Sequence, residues 1–167
     1  MNHLDNINRK IHTQETLLKT IIVSRFFNKK IIFTNGCFDI LHKGHIDYLS
    51  KAADMGDMLI VGINSDKSVR GLEKGISRPI QDELSRATLI AALHCVSAVI
   101  IFDAPTPYEL IKLIQPDVLV KGGDWDIKNI IGSDIVTAKQ GEVKTITFLE
   151  GFSTTLIETK IKQGKLS

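Results

Sequence analysis

Residues 31–45 read Ile31-Ile32-Phe33-Thr34-Asn35-Gly36-Cys37-Phe38-Asp39-Ile40-Leu41-His42-Lys43-Gly44-His45. The first three are apolar and mostly β-branched, which is typical of a short buried strand. An amphipathic helix is predicted to follow, because Ile46, Leu49, Ala52 and Ala53 recur at helical spacing. The residues between form a strand-to-helix turn, and parallel sheets bind their ligands at such turns.

The side chains of this turn suit a phosphate-rich ligand. His42 and His45 are three residues apart, so a first helical turn directs both imidazoles to the same side. Gly44 removes a side chain where a ligand approaches the backbone. The free N–H groups and the positive end of the helix dipole also attract anions.

Two other interpretations of the histidine pair are open. The pair could bind zinc, although the nearby Cys37 and Asp39 complete no familiar zinc spacing. It could also be two surface histidines without a function. The position of the pair at the end of a strand, beside two glycines, favours the phosphate interpretation.

Composition indicates one globular domain over residues 1–167, with a loosely held polar tail over residues 1–12 and a helix over residues 13–27. Hydrophobic residues make up 43% and charged residues 24% of the 167 residues, which is ordinary for a domain with a sizeable core. The net charge of +2 is too small to indicate a nucleic-acid partner.

The chain shows no export signal and no apolar run of the roughly 18 residues that a membrane span needs. Its two cysteines, Cys37 and Cys95, have no metal-binding spacing. We therefore expect reduced thiols, a cytoplasmic location and no membrane partner.

Five strands are predicted to alternate with helices. The first begins near residue 30, and the other four cover residues 58–63, 98–102, 118–120 and 143–148. This alternation predicts an α/β, Rossmann-like, five-stranded parallel sheet with helices on both faces. Three unusual segments follow its strands: the histidine turn, Lys121-Gly122-Gly123-Asp124-Trp125 and Gly151-Phe152-Ser153-Thr154-Thr155. The parallel topology places all three beyond the carboxyl ends of the strands.

Hydroxyls and arginines complete the candidate anion site. Ser153, Thr154 and Thr155 precede a helix; capping explains one hydroxyl, and the three together suggest a second anion site. Arg78, at the end of a glycine-containing loop over residues 70–79, and Arg86 on the next helix present forks suited to phosphate. Arg86 could equally pair with Glu83 on the surface.

The turn Gly36–His45 resembles the H-x-G-H signature of the cytidylyltransferase-like nucleotidyltransferase superfamily. The segments Phe33–His45, Val120–Trp125 and Gly151–Thr155 resemble more specifically the D-glycero-β-D-manno-heptose 1-phosphate adenylyltransferase branch, in a stand-alone form. The likeness extends over residues 13–162. One departure is that Leu149 and Glu150 stand where many cytidylyltransferases carry an arginine before the last turn.

The resemblance implies that AMP passes from ATP to the sugar 1-phosphate by direct in-line attack, giving ADP-heptose for a heptose-containing glycan such as lipopolysaccharide, and pyrophosphate. It implies catalytic roles for His42 and His45, and Mg²⁺ held mainly by the triphosphate, with Asp39 as a possible ligand. The expected nucleotide-binding residues are Asn35, Gly36, Cys37, Phe38, Gly44, Arg86, Gly123, Asp124, Ser153, Thr154 and Thr155. The expected substrate-binding residues are Asp39, Arg78, Lys121 and Trp125.

Some roles and classes stay open at this stage. Asp124 could simply form a turn after two glycines, and Trp125 could pack on a sugar or on the sheet. A glycerol-3-phosphate-type cytidylyltransferase that uses CTP is the alternative enzyme, and a nucleotide-binding regulator without catalysis is the alternative class. We also expect a homodimer or a larger homo-oligomer.

Overall fold

The computed structural model describes residues 2–71 and 78–164, so residues 72–77 of the predicted loop lie outside the described residues. Helices and strands alternate along most of the chain. In order they are α1 (His3–Asn8), β1 (Ile11–His12), α2 (Gln14–Phe26), β2 (Ile31–Gly36), α3 (Lys43–Ala53), β3 (Met58–Asn64), α4 (Asp66–Gly71), α5 (Glu83–Ala91), β4 (Ala98–Phe102), α6 (Tyr108–Ile114), β5 (Val118–Gly122), α7 (Ser133–Ala138), β6 (Glu142–Ile146) and α8 (Thr154–Lys162).

The strands form one parallel sheet in the order β1-β4-β3-β2-β5-β6. The chain builds outward from β2 to β3 and β4 on one side, and then crosses to β5 and β6 on the other. β2 therefore pairs with both β3 and β5, and the strand order reverses there. This reversal is the topological switch point where sheets of this kind bind ligands, and the histidine turn follows β2 directly.

Helices cover both faces of the sheet, as predicted. Side chains of β2 alternate between two cores: Ile31 and Phe33 belong to the core that α2, α6 and α7 cover. Ile32 belongs to the core that α3 and α5 cover. Because β2 is buried on both faces, its sequence reads as a continuous apolar run rather than an alternating one.

The sheet has six strands rather than the predicted five, and the first of them lies in the predicted polar tail. Residues Ile11–His12 pair with Val99 and Ile100 of β4, and the backbone N–H of Val99 donates to the carbonyl of Lys10 at 2.7 Å. Ile7 and Ile11 pack against the core on the α3 side. These two apolar residues tie down a segment whose composition is otherwise polar.

Helix α2 matches the prediction in its bounds, but only part of its apolar surface faces the core. Leu17 and Ile21 are buried, whereas Ile22 and Phe26 are 67% and 80% exposed. Along the part of the chain that the structure describes, none of the helices is long and apolar enough to cross a membrane.

Candidate active site

A cavity of about 550 Å³ lies beyond the carboxyl ends of β2 and β5. Its wall combines residues from the histidine turn, from the end of β5 and from α8, and therefore from all three segments that topology predicted to converge. Its lining residues are Asn35, Gly36, Cys37, Phe38, Asp39, His45, Tyr48, Val69, Arg78, Lys121, Gly122, Phe148, Thr154, Thr155 and Glu158.

The two histidines stand side by side at the start of α3. His42 is the N-cap residue of that helix, and the His42 and His45 rings stack with centroids 3.8 Å apart and planes 22° apart. The Phe38 ring contacts His45 edge-on at a centroid distance of 5.3 Å. The spacing of three residues therefore brings both imidazoles together, as the sequence predicted.

Gly44 makes this stacking possible. A Cβ atom at Gly44 would lie 3.0 Å from Nδ1 of His42 and 3.1 Å from Cβ of Phe152. A side chain at this position would therefore crowd the His42 ring and Phe152. The expected contact between the nucleotide and the backbone of Gly44 stays a prediction.

Both imidazoles are electrostatically suited to be neutral. Burial lowers the pKa of His42, and burial together with the neighbouring His42 lowers the pKa of His45 to about 4. The Nδ1 atoms of both rings are buried, and neither has a hydrogen-bond partner in the structure. Buried polar atoms without partners are uncommon in native proteins.

Asp39 lines the cavity, but its carboxylate is already fully engaged, which argues against the expected contact with sugar or metal. It pairs with Arg78 at 2.7 Å and accepts the backbone N–H groups of Ile80 and Gln81 at 2.9 Å. Burial alone would raise its pKa, but the N–H groups of Gln81 and Ile80, together with Arg78, lower it instead. Asp39 thus anchors the Arg78–Gln81 segment over the histidine turn.

Arg86 lies behind the turn and is not among the described residues that line the cavity. Its side chain is fully buried, and it donates to the carbonyl oxygens of Cys37 at 2.7 Å and Gln81 at 3.0 Å. Its third contact is an ion pair with Asp66 at 2.6 Å. The structure thus supports neither the expected phosphate contact nor a surface pair with Glu83, and gives Arg86 a role in holding the turn.

In the hydroxyl-rich segment at the start of α8, one residue caps the helix and two line the cavity. Ser153 is the N-cap residue, and its hydroxyl accepts the N–H of Leu156 at 3.1 Å, so the capping interpretation holds for this residue. Thr154 and Thr155 line the cavity. The positive end of α8 therefore faces the same space as His45.

At the end of β5, Lys121 and Gly122 line the cavity, while the next three residues form a turn. Gly123 has a φ of +100°, a conformation that favours glycine. The indole N–H of Trp125 donates to the carbonyl of Gly122 at 3.0 Å, and Asp124 accepts the Thr147 hydroxyl at 3.5 Å. The expected ligand contacts of Gly123, Asp124 and Trp125 therefore stay predictions.

Among the described residues, five that line the cavity were not expected from the sequence: Tyr48, Val69, Gly122, Phe148 and Glu158. A signal existed for Tyr48, which follows His45 by three residues and so shares its helix face. Tyr48 shares a hydrogen bond with Thr34 at 2.6 Å, and burial raises its pKa to about 12. Glu158 and Phe148 come together with the turn only through the fold.

Residues 33–160 match the cytidylyltransferase-like family. The chain is 52% identical over 157 residues to the bifunctional protein HldE of Campylobacter jejuni, and 47% identical over 157 residues to that of Geotalea uraniireducens. Each match covers 94% of this chain and 32% of the relative, so the chain spans about a third of the length of these curated relatives.

Two solved structures have a similar fold. The lipopolysaccharide core biosynthesis protein from Thermoplasma volcanium superposes with a TM-score of 0.59 at 28% identity, over 72% of this chain and 97% of that one. Pantoate-beta-alanine ligase from Francisella tularensis gives a TM-score of 0.58 at 16% identity, over 93% and 78%, a likeness of fold alone. With its H-x-G-H turn at the switch point of a parallel sheet, the chain belongs to the cytidylyltransferase-like family of nucleotidyltransferases.

Proposed function

We propose that the chain transfers AMP from ATP to D-glycero-β-D-manno-heptose 1-phosphate, giving ADP-heptose and pyrophosphate. The observation that carries this proposal is the stacked His42–His45 pair, of which His45 lines the same cavity as Thr154 and Thr155 at the start of α8. An oxygen of the sugar phosphate attacks the α-phosphorus, a new P–O bond forms, and the bond to the bridging oxygen of pyrophosphate breaks.

The protein's part in this reaction is positioning and charge stabilisation, because the acceptor already carries its own nucleophile. Each neutral imidazole has one N–H group, and His42 and His45 donate these to oxygens of the α-phosphate and to the bridging oxygen. Negative charge grows on the leaving pyrophosphate in the transition state. The histidine contacts therefore strengthen as the reaction proceeds, which is the condition for catalysis.

The start of α8, which lines the same cavity as His45, suits the β- and γ-phosphates. Thr154 and Thr155 offer hydroxyls and backbone N–H groups at the positive end of α8. Lys121 lies at the end of β5 on the same cavity, and we assign it to the acceptor phosphate. Asn35, Gly36, Cys37 and Phe38 form the floor and contact the nucleotide.

Mg²⁺ is the proposed cofactor, bound with ATP. Among the described residues, no three His, Cys, Asp or Glu side chains are grouped so that they could hold a metal ion. The carboxylates of Asp39 and Glu158, which line the cavity, are both paired with Arg78. The donor set thus fits an ion that the triphosphate carries, and this ion would neutralise phosphate charge when bound.

The choice of heptose 1-phosphate and ATP rests on the branch-specific segments Val120–Trp125 and Gly151–Thr155, and on the relatives. One structurally similar protein is a lipopolysaccharide core biosynthesis protein, and the HldE proteins are about half identical over nearly the whole chain. The alternative, a CTP-dependent glycerol-3-phosphate cytidylyltransferase, has less support. Leu149 and Glu150 stand where many cytidylyltransferases carry an arginine just before the last turn.

Pyrophosphate release, measured over four nucleotides with heptose 1-phosphate and with glycerol 3-phosphate, tests the proposal. We expect ATP with heptose 1-phosphate to exceed every other combination in kcat/KM by at least about tenfold, which corresponds to about 1.4 kcal/mol of discrimination. Equal or faster turnover of CTP with glycerol 3-phosphate would reject it. Nucleotide binding without pyrophosphate release from any combination of nucleotide and acceptor would instead favour a nucleotide-binding regulator without catalysis.

The proposal includes a cytoplasmic location and a homodimer or larger homo-oligomer, with no nucleic-acid or membrane partner. Self-association is supported by the exposed apolar surface of α2, where Ile22, Val23, Phe26 and Phe27 are each more than half exposed. Light scattering coupled to size-exclusion chromatography measures the mass of the particle. A monomer at micromolar concentration would contradict this part of the proposal.

A further inference from the structure

An ion pair between Arg78 and Glu158 lies in the wall of the active-site cavity. Nη2 of Arg78 is 2.5 Å from Oε1 of Glu158, and the two side chains are only 15% and 27% exposed. Both residues line the cavity. Because water is partly excluded from the pair, its two charges interact more strongly than those of a surface pair.

Glu158 stands on the same face of α8 as the proposed triphosphate-binding residues. It follows Thr154 by four residues and Thr155 by three, so these side chains are neighbours on the helix surface, and all of them line the cavity. A carboxylate therefore faces the space that a triphosphate would occupy. This carboxylate and a phosphate would therefore compete for the same cation, Arg78.

Arg78 is held by a second partner that does not depend on Glu158. Its Nη1 donates to Oδ2 of Asp39 at 2.7 Å, and Asp39 is itself fixed by the N–H groups of Ile80 and Gln81. The planar fork of arginine presents several donors at once. One amino group can thus stay with Asp39 while the other changes its partner.

Helix α8 is well suited to such a change. None of its residues is buried, so a shift of Glu158 leaves the core intact. The sequence also has Leu149 and Glu150 where an arginine often precedes the last turn. Arg78, which reaches α8 from a distant segment, is a cation already located beside the hydroxyls of this turn.

We propose that Glu158 occupies the place of a phosphate on Arg78, and that Nη2 of Arg78 exchanges Glu158 for a β- or γ-phosphate oxygen when the nucleotide binds. This inference rests on the proposed function in so far as the ligand is a triphosphate. Glu158 is a positioning residue: it keeps Arg78 directed toward α8 in the free protein, and it weakens triphosphate binding by competing with the phosphate for Nη2 of this arginine.

Glu158→Gln tests the exchange because it removes the charge and keeps the size of the side chain. The matched control is Glu15→Gln, an exposed residue that pairs with Lys19 on α2, away from the cavity. Titration calorimetry with ATP and with inorganic tripolyphosphate should show Glu158→Gln binding both about three- to tenfold more tightly than the parent. Glu15→Gln should change neither affinity by more than about twofold.

The same substitution in Arg78→Lys and Arg78→Gln backgrounds tests whether the effect passes through Arg78. In either background, Glu158→Gln should tighten the binding of ATP and tripolyphosphate by less than about twofold. If only one of the two Arg78 variants folds, that variant suffices for the test. A gain of the same size without Arg78 would overturn the exchange, because Glu158 would then act only as a nearby charge.

Unchanged or weaker binding by folded Glu158→Gln would also overturn the exchange, since the pair would then serve to hold α8 in place. Tripolyphosphate carries neither base nor sugar, which separates this inference from the proposed function. Tighter tripolyphosphate binding in a protein that turns over no nucleotide would reject the adenylyltransferase and leave the exchange standing. Normal ATP turnover, together with unchanged tripolyphosphate binding by Glu158→Gln, would support the adenylyltransferase and reject the exchange.

Discussion

Replacing Gly44 by alanine should impair catalysis without unfolding the protein. The added Cβ would lie 3.0 Å from Nδ1 of His42 and 3.1 Å from Cβ of Phe152, whereas ordinary contacts between such atoms are about 3.5–4.0 Å. The His42 ring must therefore move by about 0.5 Å. A displacement of about 1 Å in a catalytic group can cost about a hundredfold in rate, so we expect kcat to fall about tenfold.

The free energy of unfolding should change little in the same variant. Alanine within a helix is more stable than glycine by about 0.5–1 kcal/mol, and this gain offsets the crowding against His42 and Phe152. Urea unfolding should place Gly44→Ala within about 1 kcal/mol of the parent. The matched control is Gly71→Ala, because a Cβ atom at Gly71 meets no atom of the described residues within 4 Å.

Pyrophosphate release at saturating ATP and sugar 1-phosphate measures kcat for the three proteins. Parent-like kcat in Gly44→Ala, within about twofold, would refute the reasoning, because it would mean that the ring position does not matter or that Phe152 alone absorbs the crowding. A loss of kcat equal to that of Gly71→Ala would refute it as well, since it would show that the effect is not specific to this site.

Four further measurements test the remaining roles. Alanine at His42 or His45 should lower kcat by about 10²–10³ while changing KM for ATP much less; kcat within about threefold of the parent in both folded variants would contradict the mechanism. The unfolded chain protonates His45 near pH 6.5 and the folded chain near pH 4, so the free energy of unfolding should fall as pH drops through this window, and His45→Gln should flatten that dependence. Arg86→Ala should destabilise the fold by about 3–5 kcal/mol, because it leaves buried partners unpaired; a parent-like urea midpoint would argue against its role in holding the turn. Ser153→Ala should cost about 1 kcal/mol in helix stability, whereas Thr154→Ala should raise KM for ATP without changing the urea midpoint, and the reverse pattern would exchange their assignments.

The parallel sheet and the three converging segments could be predicted because their signals are local. Apolar runs such as Ile31–Phe33 stand out from their neighbours, and the order of strands and helices limits the topology. Strand β1 could not be predicted, because two residues are too few to show a periodicity. The helix before it is also short, and Ile7 gives it a single apolar anchor in a polar segment.

The partners of the charged site residues could not be predicted, because they come from distant parts of the chain. Asp39 accepts N–H groups from Ile80 and Gln81, about forty positions away. Arg86 pairs with Asp66, although its neighbour Glu83 has the spacing of a helical ion pair. A motif indicates which residue types a site needs, but only the fold determines which of them face the ligand.

The two edges of the sheet have different consequences for association between chains. An open strand edge offers unpaired N–H and C=O groups to other chains. Strand β1 covers the edge of β4 with only two residues, while the opposite edge strand, β6, carries Glu142 paired with Lys30 and Lys144. Charges of this kind discourage pairing in trans. Loss of the β1 segment would thus leave the hydrophobic strand β4 as an open edge that could pair with strands of other chains.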